Sequence, residues 1–249
     1  MVQRITIQRA QQQATVLHLQ TDQVHYLRRV LRLGEGDHFI AQDGQGQQWM
    51  AILTAIPDQA RVIERLGLPD TARSLAPLRL IAALPKGNSF DAVVRQATEL
   101  GVTHIYPVIS DRTLLKPSRN KLARWRRISQ EASEQSERVS VPEIFEPTAV
   151  RQCMAQSEAQ LDWSELRYIC VARRHSPHLL SKLQQDLSKE DPQAVTLMIG
   201  PEGGWTSDEI TDANMRRYEV VALGSVILRS VTASITALSL VTAARELLI

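Results

Sequence analysis

The sequence predicts an α/β protein in two parts: a small β-barrel with one helix on its rim, then a larger domain built on a mostly parallel sheet covered by helices. Three observations carry this expectation. Roughly the first 70 residues alternate apolar and polar positions and turn at glycines. From Leu78 onward, nearly continuous apolar runs alternate with helical stripes, the mark of strands buried on both faces. Between the two parts, LGLPDTARSLAPL (Leu66 to Leu78) holds two prolines and a glycine with little periodicity, and it reads as a linker.

In the first part, RITI (Arg4 to Ile7) alternates. HFIAQD (His38 to Asp43) runs into Gly44-Gln45-Gly46 and on to QQWMAILTAI (Gln47 to Ile56), an apolar run, a glycine turn and a second apolar run, as in a hairpin. In TDQVHYLRRVLRLGEGD (Thr21 to Asp37), Val24, Leu27, Val30 and Leu31 recur at helical spacing. Thr21 or Asp22 can cap that helix and Gly34 can stop it.

In the second part, strands are expected at Leu78 to Leu84, His104 to Ile109, Arg167 to Ala172, Ala194 to Gly200 and Tyr218 to Leu223. The first helix can be capped by Ser89, carries Phe90, Val93, Val94, Ala97 and Leu100 on one stripe, and ends at Gly101. A last helix, from about Thr232 to Leu248, places Ile235, Leu238, Val241 and Leu248 on one side, with Thr232 as its cap.

Composition narrows the function classes. With 43% hydrophobic and 22% charged residues the chain is neither disordered nor fibrous. No apolar run approaches the ~20 residues of a membrane helix. The start, MVQRITIQRAQQQ, lacks the apolar core of a secretory signal, so a soluble cytoplasmic protein with no membrane partner is expected. Cys153 and Cys170 are too few and too far apart for a disulfide scaffold or a CxxC site. His175 and His178 form an HxxH with no third ligand in view, so no metal is expected. Net charge is +1 over residues 1–73, +5 over 74–140 and −4 over 141–249. Asp111 to Arg127 holds seven basic residues and one acid. Such a run either contacts a polyanion or is a solvated helix face.

Ligands of open parallel sheets bind at the carboxyl ends of strands, which directs attention to three loops. Gly200-Pro201-Glu202-Gly203-Gly204-Trp205 precedes Thr206-Ser207-Asp208-Glu209, which has the form of a capping box, so a helix starts directly after the glycines. Glycines there let backbone amides approach a ligand. The chain has neither GxxxxGK[ST] nor a GxGxxG between strand and helix. Leu223 to Ala233 is apolar with one arginine, Arg229, and either packs as a buried connection or lines a pocket. Leu84-Pro85-Lys86-Gly87-Asn88 places a lysine at the mouth of a strand.

PKGNSFDAVVRQATELGVTHIYPVISDRT (Pro85 to Thr113), RWRRISQEASEQSERVSVPEI (Arg124 to Ile144), IGPEGGWTSDEI (Ile199 to Ile210) and LGSVILRSVTASITAL (Leu223 to Leu238) occur in that order. Together they resemble the 16S rRNA (uracil-N3)-methyltransferase family of the SPOUT superfamily. HYLRRVLRLGEGD (His25 to Asp37) is similar to that family's N-terminal PUA-like barrel. The resemblance runs from Val24 to Leu238. It implies a PUA-like RNA-binding β-barrel over residues 1–72 and a SPOUT methyltransferase domain over 73–249 with a trefoil knot. It also implies S-adenosylmethionine as cofactor, a homodimer, and 16S rRNA in the small ribosomal subunit as partner. Its cofactor loops map onto Leu84 and Pro85; Ile199, Gly200, Gly203 and Gly204; and Leu223, Gly224, Ile227 and Leu228. The chain departs from the family's usual motifs at Ser225-Val226, where arginine commonly fills the second position. It departs again at Val231, where glutamate is usual, and at Glu137, where glycine commonly precedes the arginine.

N3 of uracil carries a proton and is a poor nucleophile until that proton leaves, so the expected task is alignment and stabilisation of a developing anion. Glu202 is a candidate proton acceptor, or else a carboxylate capping the following helix. Arg229 is a candidate for stabilising a uracil oxygen or a phosphate, as is Lys86. Arg28, Arg29, Arg32, Lys86, Arg112 and Arg138 are expected among the RNA contacts. Trp49 and Trp125 are expected in the core. The alternatives are a SPOUT ribose 2′-O-methyltransferase, a non-catalytic RNA-binding protein with a decayed methyltransferase domain, and a small-molecule enzyme using the glycine loop for an anion.

Overall fold

A computed structural model describes residues 2–67, 76–113, 119–160, 165–172, 175–187 and 193–247. The expected boundary at residue 72 and Leu248 lie outside these. The chain forms two compact units, and the first takes in Gln130–Val141 as well as the N-terminal part. Among the described residues no helix is long and apolar enough to cross a membrane.

The first unit is a curled half-barrel. Its strands are β1 (Arg4–Thr6), β2 (Gln12–Gln13), β3 (Val16–His18), β4 (His38–Gln42), β5 (Gln48–Leu53) and β6 (Gln59–Leu66). They pair in the order β1-β4-β5-β6-β3-β2, an open path among the described residues. Leu17, Leu27, Phe39, Ala51 and Leu53 fill the hollow, with Trp49 packed against them. The hairpin β4–β5 follows the glycine turn as expected, while β3 and β6 are additional. Residues far along the chain join this unit: Gln45 bridges Ser140, the Gly46 amide donates to Val139 (3.0 Å), and Glu134 accepts the Thr6 amide (2.7 Å). At Glu137 the backbone φ is +58°, a left-handed conformation that costs a non-glycine residue ~1–2 kcal/mol. Glycine would adopt this conformation freely, and here the glutamate side chain pairs with Arg4 (2.9 Å).

The rim helix differs from its sequence reading. A single turn, α1 (Thr21–Val24), is capped by Gln20 and Gln23 rather than by Thr21 or Asp22. It passes into a π-helix, His25–Val30, with the Leu31 amide bonding Tyr26 five residues back (2.9 Å). The extra residue per turn rotates Val30 off the buried stripe and leaves it 56% exposed, whereas Leu27 stays fully buried.

The second unit is a seven-stranded parallel sheet between two helical layers. In chain order it comprises β7 (Leu78–Ala83), α2 (Ser89–Glu99), β8 (His104–Ile109), α3 (Arg119–Gln135, whose last turn belongs to the first unit), β9 (Glu143–Ile144) and β10 (Thr148–Ala149). These are followed by α4 (Val150–Gln160), β11 (Leu166–Cys170), α5 (Leu179–Asp186), β12 (Val195–Ile199), α6 (Ser207–Met215), β13 (Glu219–Val221) and α7 (Ser230–Glu246). The order is β10-β8-β7-β12-β11-β13, with β9 also on β8. β12 is buried at every position, its one polar residue, Thr196, included. One face packs α2, α3, α5 and α7, centred on Phe90, Trp125, Leu238 and Val241; the other packs α4 and α6 on Ile81, Met198, Trp205 and Tyr218. Trp125 is a core residue, and its indole N–H donates to Asp91 (3.1 Å).

The last helix begins two residues before the expected start. Arg229 holds the cap position, and Thr232 lies inside the first turn, exposed. Its buried stripe is Ser230, Ser234, Ala237, Leu238, Val241 and Ala244, not one containing Ile235. Small side chains on that stripe let the helix approach β12 and α2 closely.

Candidate functional site

At the carboxyl ends of the second unit's strands lies a cleft of about 350 Å³, within the ordinary range for a small-molecule site. Four stretches far apart in sequence form it: Cys170–Ala172 after β11, Ile199–Trp205 after β12, Leu223–Leu228 after β13, and Arg112 beyond β8. Ser230 and Ala233 of α7 close one side. β7 is the switch point of the sheet, since the chain continues to β8 on one flank while β12 returns on the other, and crevices form at such points.

The glycine loop is fixed by its neighbours. The Gly204 amide bonds the Pro201 carbonyl (2.8 Å), and Gly204 has φ +70°, which glycine adopts freely. A Cβ on Gly200 would lie 3.2 Å from the Trp205 ring, which is buried. The loop ends in a complete capping box: Thr206 Oγ1 accepts the Glu209 amide (3.2 Å) and Glu209 accepts the Thr206 amide (2.7 Å). The Trp205 indole nitrogen is buried with no hydrogen-bond partner among the described residues. On the facing wall Val226 and Ile227 are 69% and 57% exposed, so the apolar loop lines the cleft rather than serving as a buried connection.

Of the ten residues expected to hold a cofactor, Ile199, Gly200, Gly203, Gly204, Leu223, Gly224, Ile227 and Leu228 line this one cleft. Leu84 and Pro85 do not. Leu84 belongs to the core and its amide bonds Val108 (3.0 Å), because the β7 run continues inward by one residue beyond its last paired strand position. The neighbouring Lys86 amide does reach the glycine loop, donating to Glu202 Oε1 (3.3 Å). Glu202 is exposed on the cleft and caps no helix, since Thr206 and Glu209 do that. Arg229 is exposed and makes no ion pair among the described residues; it lies between the lining residues Leu228 and Ser230. Val231 is half-buried against the core of the first face. Burial pushes the Cys170 thiol up to about 12, so it is a neutral thiol at physiological pH and not a nucleophilic thiolate. His178 accepts the Leu180 amide through Nδ1 (3.2 Å) as the cap of α5.

The expected RNA contacts fall in different places. Arg112 is on the cleft, its Nη1 donating to the Gly203 carbonyl (2.7 Å). Arg138 is half-buried in the first unit, and burial lowers its guanidinium to about 10, which leaves it charged. Arg29 and Arg32 are exposed. Arg28 is a clamp: its guanidinium donates to the carbonyls of Pro57 (2.9 Å), Thr54 (2.9 Å) and Ile56 (3.3 Å). Charge-assisted bonds of this kind are worth ~1.5–3 kcal/mol when lost. Arg28→Ala should therefore lower the melting temperature, while Arg29→Ala leaves it unchanged. Equal melting curves for the two variants would show that the clamp contributes nothing.

Sequence reading overlooked Cys170–Ala172, and it did not single out Trp205, Ser230 and Ala233 within the loops it named. The first was accessible from the rule that loops after parallel strands form sites, because RYICVA reads as such a strand. Trp205 gave no separate signal.

The RNA methyltransferase domain family matches residues 72–242, and the RNA methyltransferase PUA domain family matches residues 19–64. The chain is 42% identical to ribosomal RNA small subunit methyltransferase E of Synechocystis sp. over 94% of its own length and 75% of the relative's. It is 27% identical to the protein of the same name from Bacillus subtilis, over 99% and 98%. Among solved structures it is similar to ribosomal RNA small subunit methyltransferase E from Neisseria gonorrhoeae bound to S-adenosylmethionine, with TM-score 0.79 and 27% identity over 99% and 98% of the two chains. A Legionella pneumophila protein solved with the cofactor S-adenosylmethionine gives TM-score 0.82 and 27% identity over 98% of each.

Proposed function

Since the chain belongs to the RNA methyltransferase family whose methyltransferase domain follows a PUA domain, we propose that it transfers the methyl group of S-adenosylmethionine to N3 of one uridine in 16S rRNA of the small ribosomal subunit. The observation that carries this reading is the convergence of the glycine loop and the apolar loop on one cleft with no phosphate-binding fingerprint. The cleft fits the donor chemically. Backbone is bare of Cβ at Gly200, Gly203 and Gly204, and exposed Val226 and Ile227 offer apolar cover for an adenine. When bound there, the donor supplies a methyl group already activated on a sulfonium.

The protein's own residues then bind, orient and move a proton. Glu202 is the one carboxylate lining the cleft among the described residues, and it takes the N3 proton. Its clasp on the Lys86 amide sets the carboxylate against the loop after β7, which gives Leu84 and Pro85 a supporting part. Arg229 and Lys86 hold the nucleotide through a carbonyl oxygen or phosphate. Arg29 and Arg32 of the first unit, with Arg138, contact the RNA backbone, in keeping with a PUA-like domain over residues 1–72. On the same reading residues 73–249 form a trefoil-knotted SPOUT domain that works as a homodimer in the cytoplasm.

The test supplies labelled S-adenosylmethionine and small ribosomal subunits from cells lacking the gene, then maps the modified nucleotide. The expected product is N3-methyluridine at one position. A methyl on a ribose 2′ oxygen, or no transfer at all, overturns the proposal.

A further inference from the structure

Arg112 and Glu202 are the cleft's two formally charged side chains among the described lining residues. Resting on the function proposed above, we propose that Arg112 is a catalytic residue whose guanidinium contacts the uracil and stabilises its negative charge as the N3 proton leaves, and that buried Glu209 positions it.

Arg112 belongs to the basic run from Asp111 to Arg127, yet three of the described members of that run are occupied elsewhere. Lys121 donates to the Gly87 carbonyl (3.0 Å), Arg124 pairs with Asp91 (2.8 Å), and Arg126 donates to the Ile144 carbonyl (3.0 Å). Arg112 alone of these reaches the cleft. Its stem covers Gly203, where an added Cβ would lie 3.3 Å from the arginine Cδ, and Nη1 is fixed on the Gly203 carbonyl at 2.7 Å. One of five guanidinium donors is thereby used, and the side chain remains exposed to an incoming substrate.

The backbone that carries Arg112 is anchored. Glu209, fully buried, accepts the Asp111 amide through Oε1 (2.9 Å) and the Thr206 amide through Oε2 (2.7 Å). On the other side of Arg112, Thr113 Oγ1 accepts the Ser110 amide (3.0 Å). One carboxylate thus ties the loop after β8 to the helix start directly behind the glycine loop. Donors fixed before the reaction are what make such stabilisation effective, because they need no rearrangement as charge develops.

The chemistry balances. The N3 proton passes to the Glu202 carboxylate, and the pair left on nitrogen is shared with O2 and O4 of the ring. That pair forms the N–C bond to the methyl carbon while the C–S bond breaks with its electrons remaining on sulfur. Uracil anion and sulfonium both end neutral, and the proton rests on Glu202. A guanidinium on O2 or O4 lowers the cost of the first step, so the N3 proton leaves at a lower pH than it would without Arg112.

The test measures methyl transfer to small subunits across pH for wild type, Arg112→Gln, Arg112→Lys and Glu209→Gln. Loss of one such donor should lower kcat about 100-fold in Arg112→Gln, with KM for S-adenosylmethionine unchanged. Its rate should rise with pH over a range displaced upward from wild type. Arg112→Lys should restore part of kcat as a point charge without the planar fork. Glu209→Gln should lower kcat in the same direction by less, and combining it with Arg112→Gln should cost nothing beyond Arg112→Gln alone. The proposal is overturned if Arg112→Gln keeps kcat and its pH profile while losing only salt-sensitive rRNA affinity, which would make it a phosphate contact. A rise confined to KM for the donor overturns it equally. Wild type failing to methylate N3 would instead sink the underlying function.

Discussion

Gly200→Val is expected to abolish S-adenosylmethionine binding in a protein that still folds. An added Cβ would sit 3.2 Å from the Trp205 ring, before the two valine methyls are counted. That ring is 6% exposed and packed among Met198, Ile210, Ala213 and Tyr218, so it cannot swing aside as a flexible chain end would. The glycine loop has to give instead, and with it the backbone groups that hold the donor. Overpacking of this kind typically costs ~1–3 kcal/mol, which leaves the unit folded. Gly203→Val makes a useful contrast. Its Cβ meets only the Arg112 side chain, at 3.3 Å, so it should reduce turnover more than donor affinity. Calorimetric titration with S-adenosylmethionine reads the affinity of both variants and labelled methyl transfer reads their turnover, and unchanged affinity in Gly200→Val would remove the loop from the site.

Glu165→Ala should produce the largest loss of stability. The Glu165 side chain is fully buried and joined to Arg79 (2.5 Å), to the Thr196 hydroxyl, and at 3.6 Å to Arg167. Arg79, Thr196 and Arg167 lie abreast on β7, β12 and β11. Removing the single carboxylate leaves two largely buried guanidiniums without a counter-charge, for which ~3–5 kcal/mol is the usual cost. At this chain length that corresponds to a fall in Tm on the order of 10 °C by scanning calorimetry. The cluster sits at the amino ends of β7, β12 and β11, opposite the carboxyl ends of β11 and β12 that line the cleft, so donor affinity at low temperature should be unaffected. A Tm within ~2 °C of wild type would contradict the assignment of these charges to a paired cluster.

Much of this architecture is legible in the residues themselves. Nearly continuous apolar runs identified every long strand of the parallel sheet, because burial on both faces leaves few polar positions in the pattern, and Arg79, Arg167 and Thr196 are the ones tied to Glu165. The capping box Thr206–Glu209 located a helix start to the residue, since its hydrogen bonds depend only on local spacing. Misreadings arose where geometry departs from the standard period or depends on distant chain. The π-helix at His25–Val30 turned Val30 outward, and no 3.6-residue pattern anticipates that. Segment Gln130–Val141 joined the first unit through backbone bonds to Gly44 and Gly46 and through Glu134 and Glu137, partners more than 90 residues away that no local pattern reveals. Arg28 and Arg29 are chemically identical neighbours in the sequence, and only tertiary carbonyls distinguish the clamp from the exposed arginine beside it. Arg112 looked like one member of a basic run until the Gly203 carbonyl distinguished it.

The most direct measurement is a crystal structure of this chain grown with S-adenosylmethionine. The account predicts the donor in the cleft, gripped by main-chain atoms of Gly200–Gly204 and Leu223–Leu228, with its methyl group directed toward the space between Arg112 and Glu202. Donor density at any other place on the molecule, or a cleft left empty at saturating donor, would contradict it.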